Sequence, residues 1–142
     1  MEDLALHVLD VAENSIRAGA SHIRIRLIEN AVKNQLILEI EDDGAGMDEE
    51  TQKKAVSPFF TGKTGKRFGL GLPLLAQAAE ATGGHLDLNS APGKGTRVRA
   101  VFHASHIDMK PLGDFAKTLR VLQASFPEIE FEFEYLEEPA DR

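Results

Sequence analysis

The sequence contains no cysteine, which excludes a disulfide scaffold, a thiolate nucleophile and cysteine-ligated zinc. It also lacks an excess of positive charge: 16 Lys and Arg stand against 23 Asp and Glu, a formal net charge of −7. A chain this acidic is not built to coat nucleic acid or an anionic membrane, although local basic pockets are compatible with it. No apolar run approaches the roughly 20 residues that span a bilayer, and the amino terminus lacks the charged-then-apolar pattern of a secretory signal. A cytoplasmic protein is therefore expected. No internal repeat and no Pro-, Gly- or Ser-rich linker marks a second independent core. What is present, 142 residues of which 42% are hydrophobic and 27% charged, suffices for one sizeable core.

The apolar residues Leu4, Val8, Val11, Ala12 and Ile16 recur at steps of three and four, which predicts a half-buried helix from Leu4 to Ala18. HIRIRLI and QLILEIE then alternate apolar and polar residues, as two strands of an antiparallel hairpin do. A short polar helix is expected near Asp48 to Ala55, followed by SPFFTGKTGKRFG, a long glycine-punctuated loop without apolar period. The Leu- and Ala-rich stretch from Leu70 to Ala81 reads as a helix capped by Gly83 and Gly84. HLDLNS and TRVRAVFH form a second hairpin across the turn APGKG, with Leu86, Leu88, Val98, Ala100 and Phe102 facing inward. Beyond His106, a helix opens at Pro111 and ends before Pro127, and a strand follows. That strand carries Ile129, Phe131, Phe133 and Tyr135 on one face and Glu130, Glu132 and Glu134 on the other; either the glutamates face water, or the aromatic face or the acidic row docks a partner or a second copy. Segregated helices and hairpins imply an α+β fold, a two-layer sandwich of a mostly antiparallel sheet covered by helices on one face.

Asp10, Asn14 and Arg17 fall within an arc of roughly 60° on the first helix, opposite its apolar stripe. Such a face is either a plain solvated side or a metal and phosphate site. In the second case the Asn14 carboxamide oxygen suits Mg²⁺, the Asp10 carboxylate orients or deprotonates a nucleophile, and the Arg17 guanidinium pairs with phosphate oxygens. Asp42 stands where the strand QLILEIE leaves the sheet, and Gly44 and Gly46 let the backbone turn tightly beside it. This is an ordinary turn, or a carboxylate accepting from an exocyclic amine beside a flat ring. GKTGKRFGLGL places lysines and backbone N–H groups ahead of a helix start, a setting that attracts phosphate. It is not a P-loop, because Gly62-Lys63-Thr64 lacks the earlier glycine at the required spacing. Gly93-Lys94-Gly95-Thr96 taken alone is a hairpin turn.

Taken in order, the Asn-bearing helix, the Asp-x-Gly-x-Gly strand end, Pro-Phe-Phe, Gly-Leu-Gly-Leu and Gly-x-Gly-Thr resemble the Bergerat ATP-binding fold. That fold is shared by gyrase, the heat-shock chaperone, histidine kinases and the mismatch-repair protein MutL. The resemblance covers roughly Leu4 to Phe102. The loop and second hairpin are most similar to the catalytic domain of sensor histidine kinases, whereas DVAENSIRAGA resembles the MutL version. The resemblance implies ATP and Mg²⁺ as cofactors, with Asn14 on the metal, Arg17 on phosphate, and Asp42 on the adenine amine above Gly44 and Gly46. It further implies Thr96 as support for the adenine site beside Asp42. Gly69, Leu70, Gly71 and Leu72 would form the end of a lid, with Lys63 and Lys66 on phosphate. Asp10 occupies the position of the glutamate that activates water or a hydroxyl in gyrase and MutL, one methylene shorter.

The organisation expected is an ATP-binding unit over residues 1–106, with a helix-strand extension, 107–142, packed on the same domain. None of His7, His22, His85, His103 and His106 lies in a dimerising helical hairpin, so phosphotransfer to a protein in trans, or to water, is expected in place of self-phosphorylation. The partners implied are ATP and a protein on another chain, a second copy of this one included, with no nucleic acid and no membrane. The alternative reading is a nucleotide-gated binding module without chemistry.

Overall fold

Alternation in the first hairpin sorts its side chains onto two faces of a sheet, and the rest of the architecture follows from that sorting. The computed structural model of the protein describes residues 4–30, 32–55, 71–103 and 112–138. Helix α1 (Leu4–Arg17) leads into strands β1 (His22–Asn30) and β2 (Gln35–Asp42), then a short helix α2 (Glu49–Ala55). Helix α3 (Gly71–Ala81), strands β3 (His85–Ser90) and β4 (Thr96–His103), helix α4 (Leu112–Ser125) and strand β5 (Glu130–Glu138) complete the order.

The five strands form one sheet in the order β3-β4-β2-β1-β5. Every neighbouring pair is antiparallel except β1 with β5, which runs parallel with His22 opposite Glu130. Ile23, Ile25, Leu27, Leu38, Ile40, Val98 and Phe102 project to one face and are buried against Val8 and Val11 of α1, Leu72 and Leu75 of α3, and Leu119 of α4. Each such side chain contributes roughly 1.5–3 kcal/mol when fully buried, and α1, α3 and α4 pack on this face. The sandwich and its mostly antiparallel sheet are as the alternating patterns predict.

Two helix ends near the sheet are fixed by the same device. Gly19, at φ 83°, closes α1: its N–H bonds the Ile16 carbonyl while Ala20 N–H reaches Ser15. Gly83, at φ 90°, closes α3: its N–H bonds Glu80, and Gly84 N–H reaches Ala79. This paired pattern satisfies carbonyls that a helix end otherwise leaves open.

The opposite face carries a small buried apolar cluster, Ile28, Ile37 and Val101, beside a surface ordered by charge. Across all five strands, the register lines up Asp87, Arg99, Glu39, Arg26 and Glu134 as one row of alternating sign. Within it, Arg99 donates to Glu39 at 2.6 Å and Arg26 to Glu134 at 2.8 Å, which raises the Arg26 pKa further above its ordinary value. The strand glutamates do line one face as the sequence suggests, but half-exposed Glu132 and Glu134 are engaged by arginines of β1. Phe131 packs against the core, while Phe133 and Tyr135 remain partly exposed, and Tyr135 donates to Glu29, which pushes its pKa up to about 12.

Candidate functional site

The carboxyl end of β2, the end of α1 and the start of β4 converge on a cavity of about 250 Å³. Its apolar walls come from Val11, Ile40, Met47, Leu72 and Val98, and its polar groups from Asn14, Ser15, Arg17, Asp42, Thr51 and Thr96. A flat heteroaromatic ring suits such walls, provided that a few polar groups fix its orientation.

Asp42 is the best-held of these polar groups. Ser15 Oγ donates to its Oδ2 at 2.5 Å, and Gly44 N–H donates to its Oδ1 at 2.8 Å. Each carboxylate oxygen keeps lone pairs for a further donor. Its neighbour Asp43 points elsewhere: the His22 and Ser21 N–H groups and the Ser21 hydroxyl all donate to it. Those bonds, the His22 N–H first among them, hold the Asp43 carboxyl below the usual carboxylate range.

The glycines beside Asp42 are required by close backbone approach. A Cβ on Gly46, at φ 75°, would lie 2.0 Å from the Ala91 carbonyl oxygen, and one on Gly95, at φ 79°, 2.1 Å from that of Asp42. The β3–β4 turn is therefore docked on the aspartate loop, with Gly93 N–H bonding Ala45 O at 2.7 Å and Ala45 N–H bonding Ala18 O at 2.9 Å. Ser90 joins the pieces. Its hydroxyl accepts from Met47 N–H and donates to the Gly95 carbonyl, which makes Thr96 the donor in their 2.9 Å contact. Gln52 of α2 bonds both Met47 O and Ser90 O.

Also in the cavity wall, Arg17 Nη1 donates to Asn14 Oδ1 at 3.3 Å. Asp10 is half-buried one turn earlier, about 6 Å along the helix axis, and is not part of the cavity wall. Asn14, Arg17, Asp42, Gly46, Leu72 and Thr96 are thus brought together around one cavity, with Gly44 behind Asp42 and Gly71 opening α3. Lys63, Lys66, Gly69 and Leu70 lie outside the described residues.

Sequence reasoning overlooked Ser15, Met47 and Thr51. For Ser15 a signal exists: it lies seven residues after Val8 and four after Val11, on the apolar stripe, and is 3% exposed. A hydroxyl on a buried stripe calls for a partner. The arrangement as a whole offers an anchored carboxylate acceptor beside apolar walls, and a hard amide oxygen with a guanidinium farther along α1.

Comparison with known proteins agrees with this geometry. Residues 2–106 match the family described as histidine kinase-, DNA gyrase B-, and HSP90-like ATPase. A putative sensor protein of Shewanella frigidimarina is 32% identical over 103 residues, 71% of this chain and 16% of that protein. The sensor histidine kinase YxdK of Bacillus subtilis is 33% identical over 98 residues, 65% of this chain and 30% of that protein. The chain thus spans less than a third of the length of these relatives. Among solved structures, the Aquifex aeolicus MutL ATPase domain complexed with ADP superposes with a TM-score of 0.66 at 14% identity, covering 95% of this chain and 60% of that one. No helix among the described residues is long and apolar enough to cross a membrane. With the matched segment spanning the helix, the aspartate loop and both hairpins that build the cavity, this chain belongs to the family of histidine kinase-, DNA gyrase B- and HSP90-like ATPases.

Proposed function

We propose that the cavity binds ATP together with Mg²⁺ and that the chain is a phosphotransferase or ATPase whose acceptor is a group on another protein, or water. The observation that carries this reading is the anchoring of Asp42 by Ser15 and Gly44 in the wall of a cavity that Asn14 and Arg17 also line. In this assignment Asp42 accepts from the adenine amine between Ile40, Met47, Leu72 and Val98, with Thr96 beside it.

The donor set fits the cofactor. Asn14 Oδ1 is a hard oxygen of the kind Mg²⁺ takes, and its present partner, Arg17, is a solvent-exposed side chain that can swing from the amide to a phosphate oxygen. Bound Mg²⁺ would supply neutralisation of triphosphate charge. Catalysis in this reading is positioning and electrostatics: Asp42 fixes the base, Arg17 pairs with phosphate oxygens, and Asp10 holds or takes the proton of the attacking hydroxyl or water. Lys63, Lys66 and the Gly69–Leu72 segment are assigned to the phosphates on the resemblance alone.

A second reading, a nucleotide-gated binding module without chemistry, is favoured by the position of Asp10 outside the cavity wall. One set of measurements separates the two. Calorimetric titration of the chain with ATP, with and without Mg²⁺, is expected to show saturable binding that Mg²⁺ strengthens and Asp42→Asn removes. Phosphate release or a labelled acceptor in a lysate supports chemistry, and binding without either supports the gated module. An absence of ATP binding overturns both.

A further inference from the structure

On the polar face of the sheet, at the seam between β1 and β5, three metal-ligating side chains meet outside the nucleotide cavity. We propose that His22, Glu130 and Glu132 form a site for a divalent transition-metal ion of the zinc class. One ligand atom from each lies within 4.8 Å of the other two. His22 and Glu130 are direct partners in the parallel register, and Glu132, two residues on, projects to the same face. His22 Nε2 is 2.7 Å from Glu132 Oε2. Three donors each about 2.1 Å from one ion lie roughly 3.4 Å apart in tetrahedral geometry, a spacing reached by small rotations of the two glutamate side chains.

The charge balance favours an ion over a simple pair. Glu132 gives its other oxygen to Arg24 at 3.3 Å, and that guanidinium also serves Glu41 at 3.8 Å. Among the described residues the Glu130 carboxylate has neither a hydrogen bond nor an ion pair, although it stands beside Glu132. An unneutralised carboxylate therefore adjoins a paired one and an imidazole, and a divalent ion relieves the repulsion.

The backbones under these ligands are fixed before any ion arrives. Asp43 Oδ1 accepts from His22 N–H at 3.0 Å, and Glu130 N–H bonds Ser21 O at 2.9 Å. Ligands mounted on strands held in this way are more exactly placed than ligands on loops. One imidazole and two carboxylates suit Zn²⁺ and its transition-metal neighbours, whereas Mg²⁺ and Ca²⁺ favour all-oxygen shells. Three protein ligands also leave a fourth position open to water. Because His22 lies in the family-matched segment and both glutamates lie beyond it, the ion would clip β5 to the ATPase core.

Calorimetric titration of the nucleotide-free chain with Zn²⁺ tests this, with Co²⁺ absorption reporting coordination. Saturable binding is expected, weakened at least about tenfold by His22→Gln and by Glu130→Gln. His85→Gln, which alters a second His–carboxylate pair among the described residues, is expected to leave it unchanged. Glu130→Gln changes an exposed side chain without partners among the described residues, so its melting temperature in the absence of metal should equal that of the wild type, while the Zn²⁺-induced rise is lost. No saturable binding, or an isotherm that neither His22→Gln nor Glu130→Gln moves, overturns the proposal.

Discussion

Ser15 and Asp42, 27 residues apart in the chain, share a 2.5 Å hydrogen bond that joins the end of the first helix to the end of the second strand. The serine is buried and the aspartate half-buried at the cavity wall, so the bond sets the orientation of the carboxylate before any ligand arrives.

Ser15→Ala should therefore leave the fold intact and loosen Asp42, the group proposed to recognise the base. Loss of a hydrogen bond to a charged acceptor corresponds to about 1.5 kcal/mol, so ATP affinity is expected to fall about tenfold. Calorimetry on the variant checks this; unchanged affinity would show that Gly44 alone suffices to orient Asp42.

Asp10→Asn separates binding from chemistry. Since Asp10 does not line the cavity, ATP affinity should stay within about twofold of the wild type, while any phosphate release or transfer falls by on the order of 10²-fold or more. A variant with full turnover removes Asp10 from the mechanism.

Gly46 and Gly93 have nearly the same φ, 75° and 76°, but different surroundings. At Gly46 a methyl group meets the Ala91 carbonyl, whereas at Gly93 it meets open space. Gly93→Ala should cost about 1 kcal/mol from backbone strain alone, and Gly46→Ala at least about 3 kcal/mol, with strain and overlap combined. Urea unfolding of the pair measures the difference, and equal costs would contradict the docking of the turn on the aspartate loop.

Asp43 has a depressed pKa in the folded chain, because the His22 and Ser21 groups donate to its ionised form. Its contribution is therefore complete above the unfolded carboxylate range and is lost as pH falls through the folded value. Asp43→Asn should destabilise by about 1 kcal/mol near neutrality, a figure already reduced for solvent screening. The gap to the wild type should close in acid, as the pH falls through the depressed folded value. Unfolding curves at pH 7 and in acid provide the test.

Much of this architecture is legible in local sequence. The stripe of Val8, Val11 and Ala12, the alternation of Ile23, Ile25 and Leu27, and the glycines after α1 and α3 are each short-range signals, and each corresponds to an observed element. The choice of Asp42 over Asp43 rests on the resemblance to the Asp-x-Gly-x-Gly motif, and Asp42 is the one that lines the cavity. Contacts between distant segments were not legible. Nothing near Glu132 announces that it will face Arg24, because the β1–β5 register is decided by packing across the whole domain. Ser90 likewise reads as a strand end, and its role in tying Met47 to Gly95 exists only once the two loops dock. Thr51 enters the cavity wall because Asp48 caps α2 and Gln52 draws that helix onto the β3 end.

The outermost position of β5 bears on how copies of this protein meet. An unpaired strand edge invites a second copy to add on, but this one carries five glutamates in nine residues. Two such edges laid side by side would crowd like charges, so fibril-like stacking through this strand is disfavoured near neutrality. Salt weakens that safeguard: light scattering should rise with ionic strength, which screens exposed charges, and a flat trace would show that the edge is guarded by something other than charge.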